Sequence, residues 1–218
     1  MKILAIGAHP DDIEAGCSGT LAKYARNGHD IYMLIMTEGH MGGEGSTRKK
    51  EQKRSAKILK PRELIWGGYK DTLLTPHMNQ MVHDIEVVLK KIAPDFIFVH
   101  YEDDTHQDHR ALAKATISAT RYVRNVLFYE GPTTQNFSPA VFVDIRETLD
   151  DKVAMLHGTL FTGSEDQYRG CINNGHRPLF SRLSRNPGTG PVRGGFRSTA
   201  SVYQYLTVLL KVKIQTAK

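Results

Sequence analysis

The amino-acid sequence predicts an α/β domain built on a mostly parallel sheet with helices on both faces. Three observations point there. Short apolar runs alternate with longer helical patterns through the first two-thirds of the chain, and that alternation favours parallel strands joined by helical crossovers. The 218 residues are enough for one sizeable core and short for two. No repeat, low-complexity tract or linker divides them, so 1–218 reads as a single domain.

The elements follow in order. Lys2–Ala8 (KILAIGA) is a buried-strand pattern, and Ala15–Asn27 reads as a helix. Asp30–Met36 is a second strand, followed by a helix over Thr47–Leu59 and a short third strand over Glu63–Trp66. Met78–Ile92 carries apolar residues at Met81, Val82, Ile85, Val88, Leu89 and Ile92, the three-four rhythm of an amphipathic helix. Phe96–His100 is a further strand, Arg110–Arg121 a helix, and Val126–Tyr129 and Val141–Ile145 two more strands. In such sheets ligands bind at the carboxyl ends of the strands. The chemically unusual residues fall at three of those ends: His9 to Asp12, Thr37 to His40, and His100 to His109.

Composition excludes several classes. Hydrophobic residues at 40% and charged residues at 24% rule out a disordered or fibrous chain. No apolar run approaches the ~18 residues of a bilayer span, and Ile3 to Ala8 is cut short by His9-Pro10-Asp11-Asp12, too soon for a secretory signal. Two cysteines, Cys17 and Cys171, are too few for a disulfide framework. These features predict a soluble protein of a reducing compartment, the cytoplasm. The net charge of +6 is concentrated late: beyond Asp166 there are nine lysines and arginines and no acid. Without a nucleic-acid motif beside them, these cations read as a solvated or subunit-facing surface, and no nucleic-acid partner is expected. The stretch 188–195 (GTGPVRGG) reads as a loop.

Two motifs carry the chemistry. Ala8-His9-Pro10-Asp11-Asp12-Ile13-Glu14 places an imidazole and two carboxylates at a strand-to-helix junction. Nitrogen with oxygen ligands suits Zn²⁺. The alternative for an aspartate there is a helix cap, and the motif alone leaves both open. Asp104-Thr105-His106-Gln107-Asp108-His109 places two histidines at i and i+3 on one face of a helical turn. Both can bind metal, or one can bind while the other acts as an acid. Together the clusters fit a catalytic zinc, with three protein ligands and one position left for water.

These two motifs, with Ser18-Gly19-Thr20-Leu21, Thr37-Glu38-Gly39, Arg48-x-x-Glu51 and Phe137-Ser138-Pro139 before Val141 to Ile145, resemble the LmbE-like / PIG-L family of zinc-dependent N-acetylglucosaminyl deacetylases. The resemblance covers roughly residues 2–165 and is weak over the basic, glycine-rich 168–218. It implies a Rossmann-like three-layer fold, one Zn²⁺ (or another divalent ion) per chain, and a homo-oligomer. The implied ligands are His9, Asp12 and His109, and the implied base is Asp11. His106 is the implied stabiliser of the tetrahedral intermediate, oriented by Asp108, and Arg48 helps hold substrate. The implied substrate is a small N-acetylated sugar. Independently of the resemblance, Arg193 or Arg197 can meet an anionic group on the substrate, but a merely exposed surface is the preferred reading of both. His40 at the second strand end can line the pocket, and His100 can support the ligands. The family's acidic element near the carboxyl end has no counterpart in Ser198 to Tyr203.

Two other function classes compete. A two-metal phosphoesterase needs more ligands than the two clusters supply. A non-catalytic sugar-binding descendant would lack Asp11 or a ligand, and none is missing. No G-x-S-x-G elbow marks a serine hydrolase.

Overall fold

A computed structural model describes residues 1–159 and the backbone of a strand at 206–210. Along the chain run β1 (Lys2–Gly7), α1 (Asp12–Gly16), α2 (Ser18–Arg26), β2 (Asp30–Thr37), α3 (Gly45–Leu59) and β3 (Glu63–Tyr69). Then follow α4 (Met78–Ile92), β4 (Phe96–His100), α5 (Gln107–Ala119), β5 (Val126–Tyr129), β6 (Val141–Asp144), α6 (Leu149–Thr159) and β7 (Leu206–Leu210). The strands form one sheet in the order β3-β2-β1-β4-β5-β7-β6. The first five are parallel, and β7 runs antiparallel to both its neighbours.

The predicted α/β fold is therefore present. Alternation along β1 shows how the layers are made. Leu4 and Ile6 face α4 and α5 through Met81, Ile85, Leu89, Leu112 and Ala115. Ile3 and Ala5 face Ile13 and Leu21 of α1 and α2, Leu59 of α3 and Met155 of α6. A strand covered on both sides has no polar face, which is why β1 reads as a continuous apolar run. The chain winds from β1 outward to β3, then returns through α4 to β4 on the other side of β1. That reversal opens a crevice between the carboxyl ends of β1 and β4.

Several boundaries differ from expectation. The helix expected over Ala15–Asn27 is two, broken at Cys17 (φ −134°, ψ 5°). Helix α5 starts at Gln107, before the expected Arg110, because the His106 ring caps it by accepting from the Asp108 N–H at 3.2 Å. Strand β3 runs to Tyr69, three residues past Trp66, through an irregular register beside Ile35 and Thr37. Helix α6 and strand β7 were not foreseen. Cys17 is fully buried, as expected of a structural thiol. Among the described residues no helix is long and apolar enough to cross a membrane. Cys171, the loop at 188–195, Arg193, Arg197 and Ser198 to Tyr203 lie outside the described residues.

Candidate active site and metal centre

The site forms where β1 and β4 end. After Gly7 the chain turns through His9-Pro10 and enters α1 at Asp12. Asp11, in the cap position, makes no side-chain capping bond and has a left-handed backbone (φ 98°, ψ −22°). For a residue with a Cβ that conformation costs roughly 1–3 kcal/mol. The capping explanation is thereby excluded for Asp11. Asp12 faces inward, its Oδ2 accepting from the His9 N–H at 2.7 Å.

From the other strand, His100 closes β4, His106 caps α5 and His109 lies on its first turn. His109 Nε2 is 3.2 Å from Asp12 Oδ1, and His9 Nδ1 is 3.4 Å from Asp12 Oδ2. Metal–ligand bonds of ~2.0–2.1 Å in a tetrahedron set neighbouring ligands roughly 3.3 Å apart, a length each gap has singly, the two being measured to different Asp12 oxygens. The ligand atoms of His9, His106 and His109 lie within 4.8 Å of one another, as do those of Asp12, His100 and His109.

The far nitrogen of each ring is also held. His9 Nε2 meets Asp71 at 3.0 Å and Asp108 at 3.2 Å. His109 Nδ1 meets Asp104 at 3.2 Å. Asp104 in turn accepts from Thr133 Oγ1, Thr134 Oγ1 and the His106 N–H. A carboxylate behind each ring leaves its other nitrogen free to ligate, the usual support of a metal-binding histidine. The donor set fits a divalent cation.

A cavity of about 310 Å³ opens beside this cluster, lined by His9, Asp11, Asp12, Arg48, Asp71, His106 and His109 among others. It has the size of a small-molecule site. A larger hollow, about 470 Å³, lies where β2 begins, but four of its five charged residues pair with each other (Arg62 with Asp30, Arg26 with Asp151) and no imidazole cluster faces it.

The sequence pattern of the PIG-L family, GlcNAc-PI de-N-acetylase, matches residues 4–120. The chain belongs to the PIG-L family. It is 38% identical over 152 residues to the uncharacterized deacetylase YaiS of Escherichia coli, covering 66% of this chain and 82% of that one. It is 33% identical over 135 residues to the diacetylchitobiose deacetylase of Thermococcus kodakarensis, covering 56% of this chain and 49% of the relative. The fold is also that of N,N'-diacetylchitobiose deacetylase from Pyrococcus horikoshii, with a TM-score of 0.73 at 21% identity, covering 95% of this chain and 82% of that one.

In this PIG-L chain the electrostatics of the site follow from burial and crowding. Burial and the neighbouring Asp12 charge together push the Asp11 carboxyl up to about 7, against the pull of Arg48. Burial also disfavours the charge on Asp12, but His109 and His100 outweigh it and hold its carboxyl well below the usual range. Burial lowers His109, yet Asp12 and Asp104 raise it to about 9. His100 is driven down to about 4, first by burial and then by the charge on His109. His106 is likewise lowered, by burial and by the charges on His9 and His109. Its Nδ1 accepts from the Asp108 N–H, so the neutral ring keeps its proton on Nε2, on the side left free by that bond.

Some residues sit otherwise than the sequence suggested. The Asp108 carboxylate makes no hydrogen bond to His106; the bond to that ring comes from the Asp108 N–H. The carboxylate accepts from the Thr72 and Leu74 N–H groups and meets His9, because the second residue of α5 faces the loop after β3. Arg48 borders the cavity with its guanidinium bonded to Glu51, the Thr159 carbonyl, the Pro10 carbonyl and Asp11. His40 is exposed, and its neighbours Gly39, Met41 and Gly42 line the cavity instead. Asp71 was not foreseen. With β3 ended at Trp66 it stood well out in a loop; with β3 ending at Tyr69 it stands at a fourth strand end.

Proposed function

We propose that this protein is a zinc-dependent deacetylase that removes the acetyl group from an N-acetylglucosamine-type sugar or conjugate. The observation that carries the reading is the convergence of His9, Asp12 and His109 from two strand ends, with Asp11 beside them and outside the ligand set. Family membership and the sugar deacetylases among the relatives favour an N-acetyl substrate over other amides.

Zinc, when bound by His9, Asp12 and His109, supplies a polarised carbonyl and water acidified toward a pKa of ~7. The remaining work falls to the chain. Asp11 is near its midpoint at neutrality, so it can take a proton from attacking water and return it to the departing amine. His106 presents Nε2–H where negative charge grows on the acetyl oxygen, and one such donor is typically worth ~3–4 kcal/mol. Asp104, Asp71 and Asp108 keep the two ligand rings in the tautomer that binds. The cavity admits a sugar ring while the apolar layers below exclude water from the far side of the cluster.

The test is an acetate-release assay over a panel of N-acetyl sugars, beside metal analysis of the purified protein. One zinc per chain with release from at least one N-acetylglucosamine derivative is the expected result. Two metals per chain with phosphoesterase activity would overturn it.

A further inference from the structure

Helix α3 differs from its neighbours in what it buries. The inward stripe of α4 is Met81, Ile85, Leu89 and Ile92. The inward stripe of α3 is Arg48, Glu51, Gln52 and Ser55, and only at Leu59 does it turn apolar. Buried polar groups are costly unless bonded, so the partners of this stripe locate its task. Apart from the Arg48 bonds to Glu51 and the Thr159 carbonyl, its side-chain hydrogen bonds converge on one segment, Pro10 to Glu14. Arg48 Nη2 donates to the Pro10 carbonyl at 2.7 Å and to Asp11 Oδ2 at 2.9 Å. Gln52 Oε1 accepts from the Asp11 N–H at 3.3 Å. Gln52 Nε2 and Ser55 Oγ both donate to Glu14 Oε1 at 2.6 Å. The Glu14 side chain is buried, and its Oε2 has no partner among the described residues.

Asp11 is thus gripped at three points: its carboxylate, its own N–H, and the carbonyl before it. Its left-handed backbone is the conformation a free aspartate abandons, and these three bonds restrain it together with the helical bond from the Ala15 N–H to the Asp11 carbonyl. We infer that Gln52, locked by Glu14 and acting with Arg48, is a positioning residue that holds Asp11 in that backbone and sets its carboxylate at the cavity. The inference rests on the reading of Asp11 as the base. It gives Arg48 work on the protein's own loop, whatever it also does toward substrate. Neither Gln52 nor Glu14 bonds the side chains of His9, Asp12 or His109, so the device acts on the base directly and on the ligands only through the backbone they share.

The test uses the zinc-loaded full-length protein with three readouts: kcat and KM for acetate release, zinc content, and hydrogen exchange of the Asp11 amide. Gln52→Leu removes the acceptor for that amide. We expect kcat to fall about 10–100-fold, since misplacement by about 1 Å costs that much. KM should stay within about twofold, zinc should be retained, and the Asp11 amide should exchange at least about tenfold faster. Glu14→Ala should act in the same direction. Glu14→Gln, whose amide oxygen still accepts from Gln52 and Ser55, should recover most of the lost kcat. Wild-type kcat and exchange in Gln52→Leu would overturn the inference. So would a Glu14→Gln variant as impaired as Glu14→Ala, because the carboxyl would then act through charge and not as a link. If Gln52→Leu does not fold, the Glu14 pair decides. If the wild-type protein releases no acetate from any N-acetyl sugar, the deacetylase reading fails by itself, and Asp11 exchange still decides whether the clamp exists.

Discussion

Asp104 Oδ2 lies 3.2 Å from Nδ1 of His109, while the other nitrogen of that ring faces Asp12 at 3.2 Å. The imidazole is therefore strung between two carboxylates, one on the side of the proposed cation site and one behind it. Asp104 is itself immobilised by Thr133, Thr134 and the His106 N–H. Asp104→Asn preserves the shape but weakens the acceptor behind the ring. Zinc affinity should fall about 10–100-fold, measured by competition with a chromogenic chelator. An unchanged affinity would detach Asp104 from the metal centre.

Asp11 and His109 should separate cleanly. Asp11→Asn leaves His9, Asp12 and His109 intact, so zinc should stay at wild-type stoichiometry while turnover falls about 10²–10⁴-fold, the usual range for a lost general base. His109→Ala removes a ligand and should lose zinc and turnover together. The paired measurement is metal content and acetate release on the same preparations. Near-wild-type turnover in Asp11→Asn would remove it from the role of base.

Gly16 offers a stability prediction away from the ligands. A Cβ built there would overlap the Tyr129 ring, and that ring is buried with its hydroxyl donating to the Ile6 carbonyl at 2.9 Å. Alanine in a helix normally gains about 0.5–1 kcal/mol over glycine. Overpacking a filled core costs about 1–3 kcal/mol, and here the second effect should win. Gly16→Ala should lower Tm by about 2–10 °C, whereas Gly42→Ala, with nothing within 4 Å of the new methyl, should not. Thermal melts of the two variants check this.

The sequence made the strand ends around His9 and His106 legible because each apolar run stops abruptly at polar residues. The contacts behind the rings were less so. Asp71 depended on knowing how far β3 runs, and an irregular register next to Ile35 and Thr37 leaves no periodic trace. The orientation of Asp108 depended on where α5 begins, and an imidazole cap is not a residue pattern that announces a helix start. The break at Cys17 was invisible for a related reason. Small, buried residues flank it on both sides (Gly16, Ser18, Gly19), so apolar spacing continues across a backbone that does not. The polar stripe of α3 was readable as a helix but not as a grip on Asp11, since spacing says which residues share a face and not what that face meets.

The pH dependence of stability follows from the same contacts. In the metal-free protein His109 is raised to about 9 because Asp12 and Asp104 outweigh burial, while an unfolded histidine titrates near ~6.5. A raised folded value stabilises fully below the unfolded one, and the benefit is lost as pH climbs through the folded one. The metal-free protein should therefore lose stability between about pH 6.5 and 9, on the order of 3 kcal/mol from this group at ~1.36 kcal/mol per pH unit. Asp71 works at the other end. Burial opposes its charge, but the bond and charge of His9 hold it at about 2, so its contribution is present above ~3.9 and lost as pH falls toward 2. Zinc needs the neutral ring, so binding must expel the proton that His109 carries at pH 7. The rise in Tm on adding zinc should then grow from pH 6.5 to 9, and calorimetry in buffers of different ionisation enthalpy should register proton release at pH 7. A metal-free Tm that is flat over that interval, with zinc affinity independent of pH, would mean that His109 does not sit between Asp12 and Asp104 as a protonated ring awaiting the metal.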